Sequence, residues 1–230
     1  MSEYHAAVMS CCRAGACEEI FGPQVARKNL KRYRKKGLGA IERQMVASLS
    51  TDDVAGARVL EIGGGIGAIQ VELLASGARD GEIVELVQGY EPYAVELAQE
   101  KGLAARSRFR VADVLAQPEA VPPADVVVLN RVVCCSPDGV QLTETAARLA
   151  TRVLILSFPR DRFLARAFAR IINALQRLTR RSFRVFLHPK PSLFAAAQAQ
   201  GLRLAGTGRT LVWEFAALRR AEDFREIARR

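Results

Sequence analysis

Long apolar runs are missing from this 230-residue chain: those near residues 124–129 and 153–158 stop far short of the ~20 residues that a spanning helix requires. No transmembrane segment is expected. Met1-Ser2-Glu3-Tyr4-His5 lacks a basic stretch leading into an apolar one, so no secretory signal is expected and a cytoplasmic location is the default. Cysteine is scarce, and its count of five is odd, which argues against a disulfide framework. His5, Cys11, Cys12 and Cys17 do not reproduce the paired C-x2-C spacing of common zinc sites, so no metal is expected. Internal repeats and low-complexity segments are absent too. With half its residues apolar and a quarter charged, the chain is neither collagen-like nor disordered. Its length is enough to bury roughly 70% of the unfolded surface without disulfides or metal.

Positive charge is what the chain has in excess, with a net +10. It is concentrated in two segments. Residues 24–44 hold eight basic side chains against Glu42 alone, and residues 159–184 hold eight against Asp161 alone, so each carries +7 and the rest of the chain is −4. The basic segments fit an anionic acceptor, nucleic acid or an anionic membrane surface.

From about residue 57 short β-rich runs alternate with helical stretches, the pattern of a parallel α/β sheet. Strands are predicted at 58–62, 82–86, 108–111, 125–129 and 152–157, and helices at 68–76, 90–101 and 140–149. The alternation breaks after Phe158-Pro159. Residues 162–181 read as an amphipathic helix with Phe163, Leu164, Ala167, Phe168, Ile171, Ile172, Leu175 and Leu178 on one face. Most of that stripe is expected to pack on the domain, with Arg162, Arg166, Arg170, Arg177 and Arg181 elsewhere around the wheel. A run at 183–187, a Pro189-Lys190-Pro191 breaker and a helix at 193–200 follow. Gly206-Thr207-Gly208 punctuates a hairpin between runs at 202–205 and 211–218. The whole chain is one domain: a helical cap (1–55), a core (56–158 and 191–220) and a lid insertion (159–190).

Glu61-Ile62-Gly63-Gly64-Gly65-Ile66-Gly67 lies between a predicted strand and helix. Glycines there let backbone approach a ligand, and the helix beyond presents unpaired N–H groups, so a nucleotide-like ligand is implied. Gly63, Gly65 and Ala68 also satisfy the dinucleotide pattern G-x-G-x-x-G/A. Three acids weigh against a pyrophosphate. Glu61 precedes the first glycine, where it suits a cationic amino group. Glu85 ends the second strand, where it suits ribose hydroxyls, and Asp113 closes the third, beside an adenine position. Together they describe S-adenosylmethionine (SAM), whose product is S-adenosylhomocysteine (SAH).

On these residues the chain resembles the class I SAM-dependent methyltransferases. Residues 59–67 stand for the glycine motif, Ile83-Val84-Glu85-Leu86 for the ribose acid, Ala112-Asp113 for the adenine motif and residues 125–130 for the fourth-strand motif, over roughly residues 55–220. Ser157-Phe158-Pro159-Arg160 and the insertion after it are loosely similar to the magnesium-protoporphyrin O-methyltransferase branch. The resemblance implies an α/β, Rossmann-like seven-stranded sheet, order 3-2-1-4-5-7-6, with a terminal antiparallel hairpin. It implies cofactor contacts from Glu61, Gly63, Gly65, Gly67, Glu85, Leu86, Asp113, Val114 and Asn130, with Asn130 also beside the site of methyl transfer.

Methyl transfer from a sulfonium is mainly a matter of positioning, and only a hydroxyl acceptor gains from a general base. His188, Asn130 and Tyr33 are the catalytic candidates; Arg131 is a weaker one. Asn130-Arg131-Val132-Val133 is not the Asn/Asp-Pro-Pro-Tyr/Phe of amino-group DNA methyltransferases, and Cys135-Ser136-Pro137 is not the Pro-Cys of cytosine-C5 enzymes. Cys134 and Cys135 are expected to be packing residues. The leading reading is methylation of a small molecule, hydrophobic or anionic, with oxygen as the acceptor atom considered. The alternatives are an RNA or protein substrate, a peripheral membrane protein using the Arg-rich helix, an NAD-binding protein and a non-catalytic cofactor-binding scaffold.

Overall fold

The first five strands run parallel because helices and loops carry the chain back between them. The computed structural model, which describes residues 14–161 and 163–220, has β1 (Arg58–Ile62), α5 (Ala68–Ala75), β2 (Asp80–Glu85), α6 (Glu91–Glu100), β3 (Ser107–Val111), β4 (Ala124–Asn130), α7 (Gly139–Leu149) and β5 (Ala150–Pro159). Ahead of β1 lie α1 (Ala14–Phe21), α2 (Pro23–Lys36), α3 (Ala40–Ala47) and α4 (Thr51–Val54). After β5 come α8 (Phe163–Leu178), α9 (Lys190–Ala199), β6 (Leu202–Arg209) and β7 (Trp213–Arg220). The sheet has seven strands in the order β3-β2-β1-β4-β5-β7-β6, and β7 is antiparallel to both its neighbours. His5, Cys11, Cys12 and Arg162 lie outside the described residues.

The central strands read as apolar runs because both sheet faces are covered. Val59, Val126, Val128, Val153 and Ile155 enter one buried cluster, and Leu60, Val127, Leu129, Leu154 and Leu156 enter the other, following the two-residue period of a strand. Each is at most 1% exposed.

The N-terminal helices are fastened to this sheet at several points. Pro23 starts α2 at a position where its missing N–H costs nothing, and Ala26, Leu30 and Tyr33 form its buried stripe. At the far end of α2, Arg34 pairs with Glu96 and Glu100 of α6. A capping box between Ser50 and Asp53 begins α4, and Asp53 is also paired with Arg219 of β7.

Four local expectations need correction. Gly206-Thr207-Gly208 lies inside β6, not in the turn, and the chain reverses over residues 210–212. Gly208 is small because a Cβ there would come 2.2 Å from a ring carbon of Phe215 on β7. Pro189-Lys190-Pro191 is a helix start, with Pro189 at the N-cap and Pro191 in the first turn of α9, where proline needs no donor. Residues 183–187 form no strand. Instead Asn173 holds Val185 with two bonds, donating to its carbonyl (2.8 Å) and accepting from its N–H (2.8 Å). Finally, the apolar stripe of α8 does not pack on the domain: Phe163, Phe168, Ile171, Leu175 and Leu178 are all exposed.

Candidate active site at the strand ends

β1 ends in a turn whose backbone only glycine adopts readily. Gly63, Gly65 and Gly67 have φ of +65°, +57° and +71°. A Cβ on Gly63 would lie 2.6 Å from Cγ2 of Val132, so the turn also runs hard against the loop after β4. Gly67 behaves differently from the other two. It is the N-cap of α5, where a Cβ would meet Cδ1 of Ile83 at 2.4 Å, and it does not line the cavity. Its packing against Ile83 accounts for a glycine at this position.

The turn borders a cavity of about 390 Å³ at the C-terminal ends of the strands. Glu61, Gly63, Gly65, Glu85, Leu86, Asp113, Val114 and Asn130 all line it. The N-terminal helices supply much of the opposite wall, including Phe21, Asn29, Tyr33 and Glu42. No described residue of 159–190 lines it, so the expected lid insertion does not shape this cavity.

The cavity is acidic where the strands end. Glu61 is 2% exposed, and its Oε2 accepts from the N–H of Gln70 in the first turn of α5 (3.1 Å). Burial pushes its pKa up to about 8; that backbone bond opposes the shift, and the Glu85 and Glu42 charges add to it. Burial also raises the pKa of Glu85. Three backbone donors counter this: Gly65 N–H to Oε2 (3.0 Å), and Leu86 and Val87 N–H to Oε1 (2.9 and 3.3 Å). A carboxylate has about four acceptor lobes, so Glu85 keeps capacity for a ligand hydroxyl. Asp113 Oδ1 accepts from Leu115 N–H (2.9 Å), which shapes the loop after β3.

The other end of the cavity is organised around Asn130. Its Oδ1 accepts from Ser157 Oγ (2.8 Å), and its Nδ2 lies 3.4 Å from Glu42 Oε1. Arg131, in a left-handed conformation at φ +62°, pairs with the same Glu42 oxygen at 3.1 Å and lies 5.0 Å from the Trp213 ring centroid. The other oxygen of Glu42, Oε2, is buried without a hydrogen-bond partner. That oxygen is turned against Gly39, where a Cβ would lie 2.3 Å from it. Cys135 lines the cavity as well, whereas Cys134 is buried and does not.

Two catalytic candidates do not suit proton removal. Tyr33 donates to Glu72, and burial together with that carboxylate raises its pKa, so its phenol stays protonated. His188 is outside the cavity: its Nε2 donates to the carbonyl of Ser136 (2.9 Å), and its ring stacks on Phe186. A Cβ on Gly139 would lie 2.4 Å from that Nε2, so this glycine makes room for the imidazole. Glu42 went unrecognised as a site residue, although it is the lone acid of the basic stretch 24–44.

No family model and no curated protein matches the chain. Solved structures do. Magnesium protoporphyrin IX methyltransferase from Synechocystis PCC 6803 with bound SAH superposes with a TM-score of 0.69 at 19% identity, covering 91% of this chain and 100% of that one. The fold is that of the class I SAM-dependent methyltransferases. An O-methyltransferase family protein from Burkholderia thailandensis gives 0.62 at 19% identity, over 87% of this chain and 63% of that one. A SAM-dependent methyltransferase from Mesorhizobium loti gives 0.59 at 14% identity, over 79% and 99%. The Synechocystis protein was also solved with SAM.

Proposed function

We propose that the protein is a SAM-dependent methyltransferase acting on a small molecule. The observation that carries this reading is the set of carboxylates Glu61, Glu85 and Asp113 around a positive-φ glycine turn in one cavity. Such a wall of acceptors suits a ligand with cationic and hydroxyl groups over a pyrophosphate. The acceptor set fits the cofactor, since Glu61, Glu85 and Asp113 line one cavity with the glycine turn. Glu61 would receive the amino group, Glu85 the ribose hydroxyls and Asp113 the base end, with Leu86 and Val114 as apolar walls. When bound, SAM supplies a methyl group already activated on a sulfonium.

The chain's own task is then to orient an acceptor and exclude water. Asn130, fixed by Ser157, and Glu42, fixed by Arg131, face the acceptor end. Glu42 replaces His188 as the group suited to hold a hydroxyl acceptor and take its proton, because it lines the cavity beside Asn130 whereas His188 lies outside it. The acceptor space is bounded by Phe21, Val25 and Leu38, which favours an acceptor with an apolar body.

Calorimetric titration with SAM, SAH and NAD tests the cofactor half. SAM and SAH are expected to bind and NAD is not; the reverse result overturns the reading. Incubation with radiolabelled SAM and cell extract tests the acceptor half, with label expected in the small-molecule fraction instead of in RNA or protein.

A further inference from the structure

α8 has three distinct faces. At about 100° per residue, Phe163, Phe168, Ile171, Leu175 and Leu178 fall within an arc of roughly 140°. Arg166, Arg170 and Arg177 occupy a narrow arc beside it. The remaining side turns inward: Ala169 is 7% exposed, and Asn173 is bound to Val185. The apolar arc faces solvent, with Phe163 at 81%, Phe168 at 64% and Leu178 at 80% exposure. An amphipathic helix ordinarily turns that arc to the core, so one left outside marks an interaction surface.

Charge decides what covers it. α8 contains no carboxylate; Asp161 just before it pairs with Arg166, which leaves Arg170 and Arg177 on the helix and Arg180, Arg181 and Arg184 after it as the basic border. An apolar arc bordered along its length by guanidinium groups matches an anionic bilayer surface, with apolar side chains in the acyl boundary and arginines among the phosphates. A second apolar element stands near the start of α8. Leu211 and Val212, in the β6–β7 turn, are 78% and 55% exposed. That turn is tied to the chain just before α8, where Arg160 donates from its N–H to Val212 O (2.9 Å) and from its guanidinium to Thr210 O (3.2 Å). Beyond α8, Phe183 meets Phe21 edge-on at 5.3 Å, linking this element to a residue that lines the cavity.

We infer that α8, with the β6–β7 turn, is an interfacial anchor that seats the protein on an anionic lipid surface. No described helix is long and apolar enough to cross a membrane, so the contact is with one leaflet. The inference stands apart from the methyl-transfer reading, since none of the anchor's own apolar or basic side chains lines the cavity.

Flotation of the full chain with vesicles tests it. Vesicles of phosphatidylglycerol and phosphatidylcholine are expected to capture at least tenfold more protein than phosphatidylcholine alone. Raising the salt to about 0.5 M should weaken the charge-dependent part. The pair Phe168→Ser and Leu175→Ser should cut binding at least tenfold. Arg170→Gln with Arg177→Gln should cut it by about fivefold per arginine. Both pairs are exposed and should keep the wild-type circular dichroism and melting temperature. Equal capture by both vesicle types, capture by neither, or serine variants that float like the wild type would each overturn the inference. So would a wild-type dimer in sedimentation that the serine pair dissolves without any vesicle binding, because a second copy would then be the occupant.

Discussion

Glu42 of α3 and Arg131 at the end of β4 pair at 3.1 Å, joining the N-terminal helices to the strand ends across the cavity. The pair holds one carboxylate oxygen and leaves the other without a protein partner. If Glu42 serves the acceptor, Glu42→Gln should leave the SAM dissociation constant within about twofold while lowering methyl incorporation at least tenfold; general-base contributions are commonly about 100-fold or more. Parallel calorimetry and label transfer would separate the two effects. Equal loss of both would mean that Glu42 acts on the fold or the cofactor.

The buried Glu61 should make cofactor affinity depend on pH. Its pKa is pushed up to about 8, chiefly by burial, so below that value it holds a proton that a cationic ligand must displace. Affinity for SAM should rise with pH toward 8, by at most about tenfold per unit, and Glu61→Gln should flatten the profile. The same shift acts on stability. A carboxyl whose folded pKa is raised binds more protons folded than unfolded, so its contribution falls as pH rises from about 4.5 to about 8. Glu61→Gln should therefore lose less melting temperature than wild type over that window.

Two glycines with similar positive φ should respond differently to alanine. Gly63 (φ +65°) would place its new methyl 2.6 Å from Val132, whereas Gly37 (φ +63°) would have nothing within 4 Å. Gly37, at ψ −155°, sits in a region essentially only glycine occupies, so Gly37→Ala should cost about 1–3 kcal/mol of backbone strain and leave SAM binding unchanged. Gly63→Ala should cost more in denaturant unfolding and also weaken SAM binding, because the turn must shift to relieve the contact.

His188→Ala should leave methyl transfer and SAM affinity unchanged and lower stability by about 1 kcal/mol, the net worth of its bond to Ser136. Urea titration and label transfer check the two halves. A large loss of transfer in a stably folded His188→Ala protein would restore the histidine to the chemistry.

The strand at 58–62 and the glycine turn were legible because both are local: an apolar run buried on two faces, then backbone angles only glycine tolerates. The acids at the ends of β1, β2 and β3 were legible for the same reason, since strand order brings strand ends together. Glu42 was not, because its place in the cavity depends on α3 packing on β6, β7 and α5, which no nearby spacing encodes. The periodicity of α8 correctly grouped its apolar residues, but period alone does not say whether a face meets protein or solvent. Gly208 misled because glycine marks a turn and a close cross-strand approach alike; here the Phe215 ring explains it. The charge of residues 24–44 is also partly spent within the protein, as Arg34 binds Glu96 and Glu100 instead of facing a ligand.

β7 is the last strand among the described residues, yet it sits inside the sheet, between β5 and β6. Residues 153–159 find their partners only at 213–219, some sixty positions later. During synthesis, therefore, β5 waits with one open edge while the cavity-forming half, β1 to β4, already has its strands. A chain halted before residue 213 would present that bare edge to its neighbours, which is the geometry from which intermolecular strand pairing starts.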